Sequence, residues 1–194
     1  MTLPEASRPD TIALVTGGAG FLGTEVVRTL VAAGLETRVL DSQTPRAPVA
    51  GVDYCQGSVL DAGTLGSALD GVDYVFHLAA NAQLWARDKT AFETVNVGGT
   101  KALLNACRGR ALERIVVTSS EVVMKSRRGL AGPTREDLEL PETDMAGPYC
   151  VSKRRAERMA LAAADQGLPV TVVNPTLPIG PGDFGVTPPT QMLI

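Results

Sequence analysis

The sequence predicts an α/β fold, a doubly wound parallel sheet with helices on both faces. Three observations carry that expectation. Short apolar runs alternate with stretches whose apolar residues recur at helical spacing, the pattern of strands joined by crossover helices. The junction between the first run and the first helical stretch is crowded with glycine, at Gly17, Gly18, Gly20 and Gly23. The 194 residues are 44% hydrophobic and 20% charged, ample for a core and too weakly charged for a disordered chain.

The elements follow in order. Residues 11–16 are short, apolar and followed by glycine, which makes them the first strand. Leu22, Val26, Val27, Leu30 and Val31 predict a helix over 21–33 that stops at Gly34. Residues 37–40 read as the second strand and 52–55 as a weaker third. A short helix over 64–69 and a fourth strand over 72–77 come next. A long helix is expected over 89–108, weakened in its middle by Gly98-Gly99, because glycine costs about 1 kcal/mol against alanine in a helix. Residues 114–118 form the fifth strand. Residues 124–147, rich in charge, glycine and proline, read as a surface excursion. Helix returns over 147–164, and 169–173 is the sixth strand. With no internal repeat, linker or low-complexity segment, residues 11–194 are expected to form one domain behind a flexible stretch, 1–10.

Composition excludes several function classes. A net charge of −3 and no cationic run longer than Lys153-Arg154-Arg155, expected on a solvated helix face, argue against nucleic acid as a partner. Cys55, Cys107 and Cys150 lack metal-ligand spacing and cannot all pair, which fits reduced thiols in a cytoplasmic protein without a metal site. The first ten residues carry prolines and charges instead of an apolar signal core, and no run approaches the roughly 20 apolar residues of a membrane span.

The loop Gly17-x-x-Gly20-x-x-Gly23 sits after a strand and opens a helix. Its glycines supply the tight turn, the close backbone approach to a pyrophosphate and close helix packing, while the helix N-terminus offers free N–H groups. That is the dinucleotide site of a Rossmann fold. Asp41 ends the second strand near the roughly 20-residue offset where a carboxylate binds the adenosine ribose hydroxyls. It would repel a 2′-phosphate, so NAD is expected ahead of NADP, with Arg38 and Arg46 as nearby cations that soften the preference. Capping a turn is the other role open to Asp41.

Tyr149 and Lys153 lie four residues apart on one helix face. A phenol beside an ammonium is a proton donor and acceptor for alcohol–carbonyl chemistry. Bringing a tyrosine from about 10 to neutral pH takes roughly 3 units of pKa, about 4 kcal/mol, from nearby positive charge.

Taken together, the glycine loop, Phe76-His77-Leu78-Ala79-Ala80, Asn96-Val97-x-Gly99-Thr100, Thr118-Ser119-Ser120 and Tyr149-x-x-x-Lys153 occur in the order seen in extended short-chain dehydrogenases/reductases. The chain resembles this NAD-dependent epimerase/dehydratase family from residue 11 to 194. Residues 174–183 (Asn-Pro-Thr-Leu-Pro-Ile-Gly-Pro-Gly-Asp) and 84–88 (Leu-Trp-Ala-Arg-Asp) resemble its dihydroflavonol-reductase-like branch and the hopanoid-associated sugar epimerases.

The resemblance implies roles at matching positions. Tyr149 is the acid/base, Lys153 lowers its pKa and bonds the nicotinamide ribose, and Ser120 hydrogen-bonds the substrate oxygen. Phe21 and Leu22 belong to the cofactor loop. Ser58, with Val59 beside it, meets the adenine in place of the family's usual aspartate. Leu78, Ala79 and Ala80 line the cofactor groove, Thr118 lies near it and Pro175 sits beside the nicotinamide. Asn96 is the family's helix asparagine, counted with the cofactor residues although a structural role also suits it. Ser119 is a weaker catalytic candidate. His77 is expected to be an ordinary packed histidine, Trp85 either shapes the pocket or packs, and Glu121 is a loop carboxylate in preference to a substrate-site acid.

The implied reaction is hydride transfer on a secondary alcohol or ketone, in a nucleotide-sugar or a dihydroflavonol- or steroid-like substrate. Epimerase and reductase chemistry use the same three side chains. Val123-Met124-Lys125, where many sugar epimerases have Val-Tyr-Gly, tilts the reading toward the reductases. The competing reading is a non-catalytic NAD(P)-binding sensor or scaffold. The resemblance also implies a smaller substrate lobe after Gly182-Asp183, which a chain stopping at Ile194 is expected to lack, and homodimerisation through the helices at 89–108 and 147–164.

Overall fold

In the computed structural model, strand β1 (Ile12–Thr16) lies inside a six-stranded sheet. On one side are β2 (Glu36–Asp41) and β3 (Asp53–Gln56); on the other are β4 (Tyr74–His77), β5 (Arg114–Thr118) and β6 (Val170–Val173). Every pairing is parallel, and the order is β3-β2-β1-β4-β5-β6. The structure describes residues 11–83, 85–129 and 132–194. The expected flexible stretch 1–10 and Leu84 of the 84–88 motif lie outside the described residues.

The strands read as unbroken apolar runs because both faces of the sheet are covered. Ala13 and Val15 of β1 pack with Val39 against Val27 and Leu30 of helix α1 (Phe21–Ala32). Leu14 points to the opposite face, where Leu40, Val75 and Ile115 meet Leu65, Leu103 and Ala160. These last three belong to α2 (Ala62–Ala68), α4 (Gly99–Cys107) and α5 (Pro148–Asp165). The expected doubly wound arrangement is therefore present.

Two boundaries differ for identifiable reasons. Helix α2 begins earlier than its apolar spacing suggests because Asp61 caps it, its Oδ1 accepting from the Thr64 N–H at 2.7 Å. Strand β4 begins at Tyr74 instead of residue 72, and Asp73 instead accepts the Ile12 N–H on its own carboxylate at 2.9 Å.

The helix expected over 89–108 runs on through its glycine pair, as a turn α3 (Thr90–Phe92), a π-helical segment Glu93–Gly98, and α4. Gly99 is placed where a Cβ would stand 2.9 Å from Val59 Cγ2, so the glycine lets the helix approach the loop after β3. The 124–147 excursion is largely exposed but anchored. Leu140 and Met145 are buried against Cys150, and Arg155 of α5 holds Glu142 through bonds of 2.9 and 2.7 Å.

The solvated face expected for Lys153-Arg154-Arg155 is a correction. Lys153 and Arg154 are buried, and only Arg155 is exposed. Lys153 is turned to the end of β5, and Arg154 pairs with the equally buried Glu157 at 3.2 Å. Cys107 and Cys150 are buried, Cys55 is half-buried, and all three are free. Among the described residues, no helix is long and apolar enough to cross a membrane.

Candidate active site

The strand order reverses between β1 and β4, and a groove opens there at the carboxyl ends of the strands. Gly17 takes φ +75°, and a Cβ on it would lie 2.6 Å from the Ala79 nitrogen. At Gly23 a Cβ would lie 2.1 Å from the Gly17 carbonyl oxygen. The loop is thus pressed against the chain after β4 and closed on its own helix at two points where only glycine fits. Among the described residues, no side chain caps the N-terminus of α1, which leaves its first N–H groups for an anion.

This end of the groove has a volume of about 230 Å³ and is bounded by Gly17, Gly20, Asp41, Ser58, Val59, Leu78, Ala79 and Ala80. Asp41 takes the turn-capping role open to it. Its Oδ2 accepts from Ala19 N–H at 3.0 Å and its Oδ1 from Gln43 N–H at 2.9 Å, which ties the glycine loop to the end of β2 while the carboxylate stays in the groove wall. The Ser58 hydroxyl accepts from Leu60 N–H at 3.2 Å. The two nearby cations do not line this groove. Arg38 is turned to Asp53 (2.9 Å) and to the carbonyls of Ala68 and Asp70, and Arg46 donates to the Phe184 carbonyl at 3.1 Å.

A second groove of about 270 Å³ adjoins the first at Gly20, Leu78 and Ala80. Phe21, Leu22, Gly23, Thr118, Ser120, Tyr149, Lys153 and Pro175 all line it. Parallel pairing of β5 and β6 brings the segments after both strands together. Ser119 N–H donates to Val173 O at 2.8 Å and Glu121 N–H to Pro175 O at 3.2 Å, which sets Ser120 next to Pro175.

Lys153 Nζ donates to the Thr118 carbonyl at 2.6 Å. Burial pushes its ammonium down to about 8, against the opposing pull of Glu157. Tyr149 is pushed up from its ordinary value, first by burial, with the Ser120 hydroxyl bonded to it acting the other way and Glu121 adding to the rise. The lowering expected from Lys153 is therefore not a property of the cofactor-free chain, in which the phenol is the resting form. The edge of its ring meets Phe92 at a centroid distance of 6.3 Å.

Asn96, counted with the cofactor residues, lines neither of the two grooves. It is 2% exposed, and its side chain accepts from Asn81 N–H at 2.7 Å while donating to Asn81 O (3.1 Å) and Ser152 Oγ (2.9 Å). The π-helical turn aims it at the loop after β4, which it staples to α5. His77 is a packed histidine, as expected. Its Nδ1 is 2.7 Å from Thr16 Oγ1 and its Nε2 3.0 Å from Thr100 Oγ1. Burial and the Lys153 charge hold it down to about 3. Trp85 is 71% exposed and neither packs nor lines the groove.

Sequence reasoning missed two parts of the site. Glu157, one helical turn beyond Lys153, accepts from Asn174 Nδ2 at 2.7 Å, and the same nitrogen is 3.3 Å from the Ser120 carbonyl. The i,i+4 spacing of Lys153 and Glu157 was the available signal. The far wall comes from Leu177, Pro178 and the segment Thr187–Met192, which includes the short helix α6 (Pro188–Gln191). No periodicity marks it.

Fold and groove define a dinucleotide-binding domain of the doubly wound class. Residues 13–193 match the NAD dependent epimerase/dehydratase family, and the chain belongs to it. It is 36% identical over 183 residues to a putative dihydroflavonol 4-reductase of Synechocystis sp., covering 93% of this chain and 53% of that protein. It is 35% identical over 177 residues to the 2-alkyl-3-oxoalkanoate reductase of Stenotrophomonas maltophilia, covering 90% and 53%. Among solved structures, gox2253 superposes with a TM-score of 0.83 at 34% identity, over 95% of this chain and 57% of that one. The UDP-glucose 4-epimerase of Thermus thermophilus, in complex with NAD, gives 0.76 at 27%, over 93% and 60%. The chain spans about half the length of the curated relatives it matches.

Proposed function

We propose that this chain binds NAD and serves hydride transfer on a secondary alcohol or its ketone, with Ser120, Tyr149 and Lys153 handling the oxygen and its proton. One observation carries the proposal. These three side chains line a groove continuous with the one under the glycine loop, so a dinucleotide laid along the loop ends beside them.

The residues present fit that cofactor. Gly17 and Gly23 leave room only for backbone, the open N-terminus of α1 suits a pyrophosphate, and Asp41 offers a carboxylate to a ribose without a 2′-phosphate. When bound, the cofactor supplies the hydride acceptor or donor and, in its oxidised form, a positive charge. Ser120 orients the substrate oxygen. Tyr149 gives its proton to that oxygen in reduction and takes it back in oxidation. Lys153, fixed by Thr118, brings the charge that eases the phenol toward ionisation once the groove is filled.

The wall around these groups is apolar, from Phe21, Leu22, Val122, Pro178, Pro189 and Met192, and Lys153 is its one cation among the described residues. A nucleotide sugar needs partners for a diphosphate, so the groove favours a substrate with an apolar body, in line with the reductase names among the relatives.

Tyr149→Phe tests the proposal. NAD affinity stays within about twofold while turnover on alcohol and ketone substrates falls at least about 100-fold. Full activity in the variant overturns it. NAD binding by the unaltered chain without turnover on any alcohol or ketone favours the sensor reading instead.

A further inference from the structure

Glu121 follows Ser120 directly and is 9% exposed. Its Oε1 pairs with Lys125 Nζ at 3.2 Å, on a lysine side chain that is 60% exposed. Its Oε2 is buried and has no hydrogen-bond partner among the described residues. A bare carboxylate oxygen out of water is costly, and a stable fold that keeps one calls for a donor from outside the chain. Glu121 also lines the groove of Ser120 and Tyr149, and it is close enough to oppose ionisation of the phenol. Its backbone N–H is bonded to the Pro175 carbonyl, which fixes the main chain beside Ser120.

We propose that Glu121 is a substrate-reading residue, whose Oε2 accepts a hydrogen bond from a hydroxyl or amine carried on the carbon next to the reacting one. The inference rests on the hydride-transfer reading and narrows it. The substrate joins an apolar body to a vicinal pair of polar groups, one held by Ser120 and Tyr149 and the other by Glu121. Lys125 completes the arrangement by holding Oε1, which leaves Oε2 free to accept.

The experiment is calorimetric titration of the NAD-loaded protein with 1-phenylpropane-1,2-diol and with 1-phenylpropan-1-ol, which differ by one hydroxyl. The diol binds at least about tenfold more tightly. Glu121→Leu brings the two affinities within about twofold, and Glu121→Gln, which keeps an acceptor of the same shape, lowers the ratio about threefold. Thermal midpoints and NAD affinities of both variants establish that they are folded. The inference is overturned if the unaltered protein discriminates less than twofold, binds neither ligand, or passes its full preference on to both variants. NADH formation is followed separately. Diol preference without NADH formation removes the hydride-transfer reading and leaves Glu121 as the reader of a binding site.

Discussion

Lys153 and the Thr118 carbonyl, 2.6 Å apart, tie the first half of α5 to the end of β5. The ammonium is thereby placed under the groove, away from water, and this has a thermodynamic signature.

The folded value of Lys153, about 8, lies below its ordinary 10.5. Between those pH values the unfolded chain binds more protons than the folded one, so stability rises with pH across that window. The full effect is on the order of 3 kcal/mol. Urea unfolding of the unaltered chain and of Lys153→Met checks it. The difference in stability between the two shifts in favour of the unaltered chain from pH 7.5 to 10, and a constant difference rejects the assignment.

Gly23→Ala forces a Cβ onto the Gly17 carbonyl at 2.1 Å. NAD affinity falls at least about tenfold, and the protein loses roughly 1–3 kcal/mol of stability. Gly34→Ala is the control. Its φ of +81° carries strain, yet nothing lies within 4 Å of the new Cβ. This variant loses about 1 kcal/mol and keeps its NAD affinity, as fluorescence titration would register.

Asp41→Ala and Asn96→Ala separate a groove residue from a staple. The first weakens NAD binding and narrows the gap between NAD and NADP. The second leaves Asn81 N–H without its acceptor, costs about 1–3 kcal/mol in urea unfolding, and retains NAD binding. Equal losses of NAD affinity would return Asn96 to the groove.

His77 is the only histidine, so a single imidazole signal reports on the interior. Held down to about 3, it stays neutral, and its resonances show no titration between pH 5 and 8. A titration midpoint near 6.5 would mean that the Thr16–His77–Thr100 bridge is open in solution.

The parts of the fold that sequence made legible are those with one dominant local cause. The glycine loop is constrained by sterics at each glycine, and β1 by burial on both faces. Tyr149 and Lys153 share a groove because helical spacing alone puts them on one side. What escaped has causes distant in the chain. Arg154 belongs to a charged run, and only tertiary packing buries it beside Glu157. Asn96 faces inward because a π-helical turn shifts its direction, and Gly98-Gly99 looked like a weak point until Val59 was placed against it. Tyr149 is raised instead of lowered because burial, which spacing does not reveal, outweighs the hydrogen bond from Ser120. The Leu177–Met192 wall consists of irregular chain and one short helix, whose position is set by the surface it lies on.

Parallel pairing throughout the sheet sends every strand's carboxyl end to one edge, and the two grooves share that edge and the loops after β1 and β4. Segments after β2 and β3 complete one end; those after β5 and β6, with the start of α5, complete the other. The halves meet only at Gly20, Leu78 and Ala80. A segment such as 177–192 can therefore be exchanged with that of a relative to redirect what the chain accepts, while the cofactor half stays as it is. In engineering terms, the molecule is a socket with a detachable face.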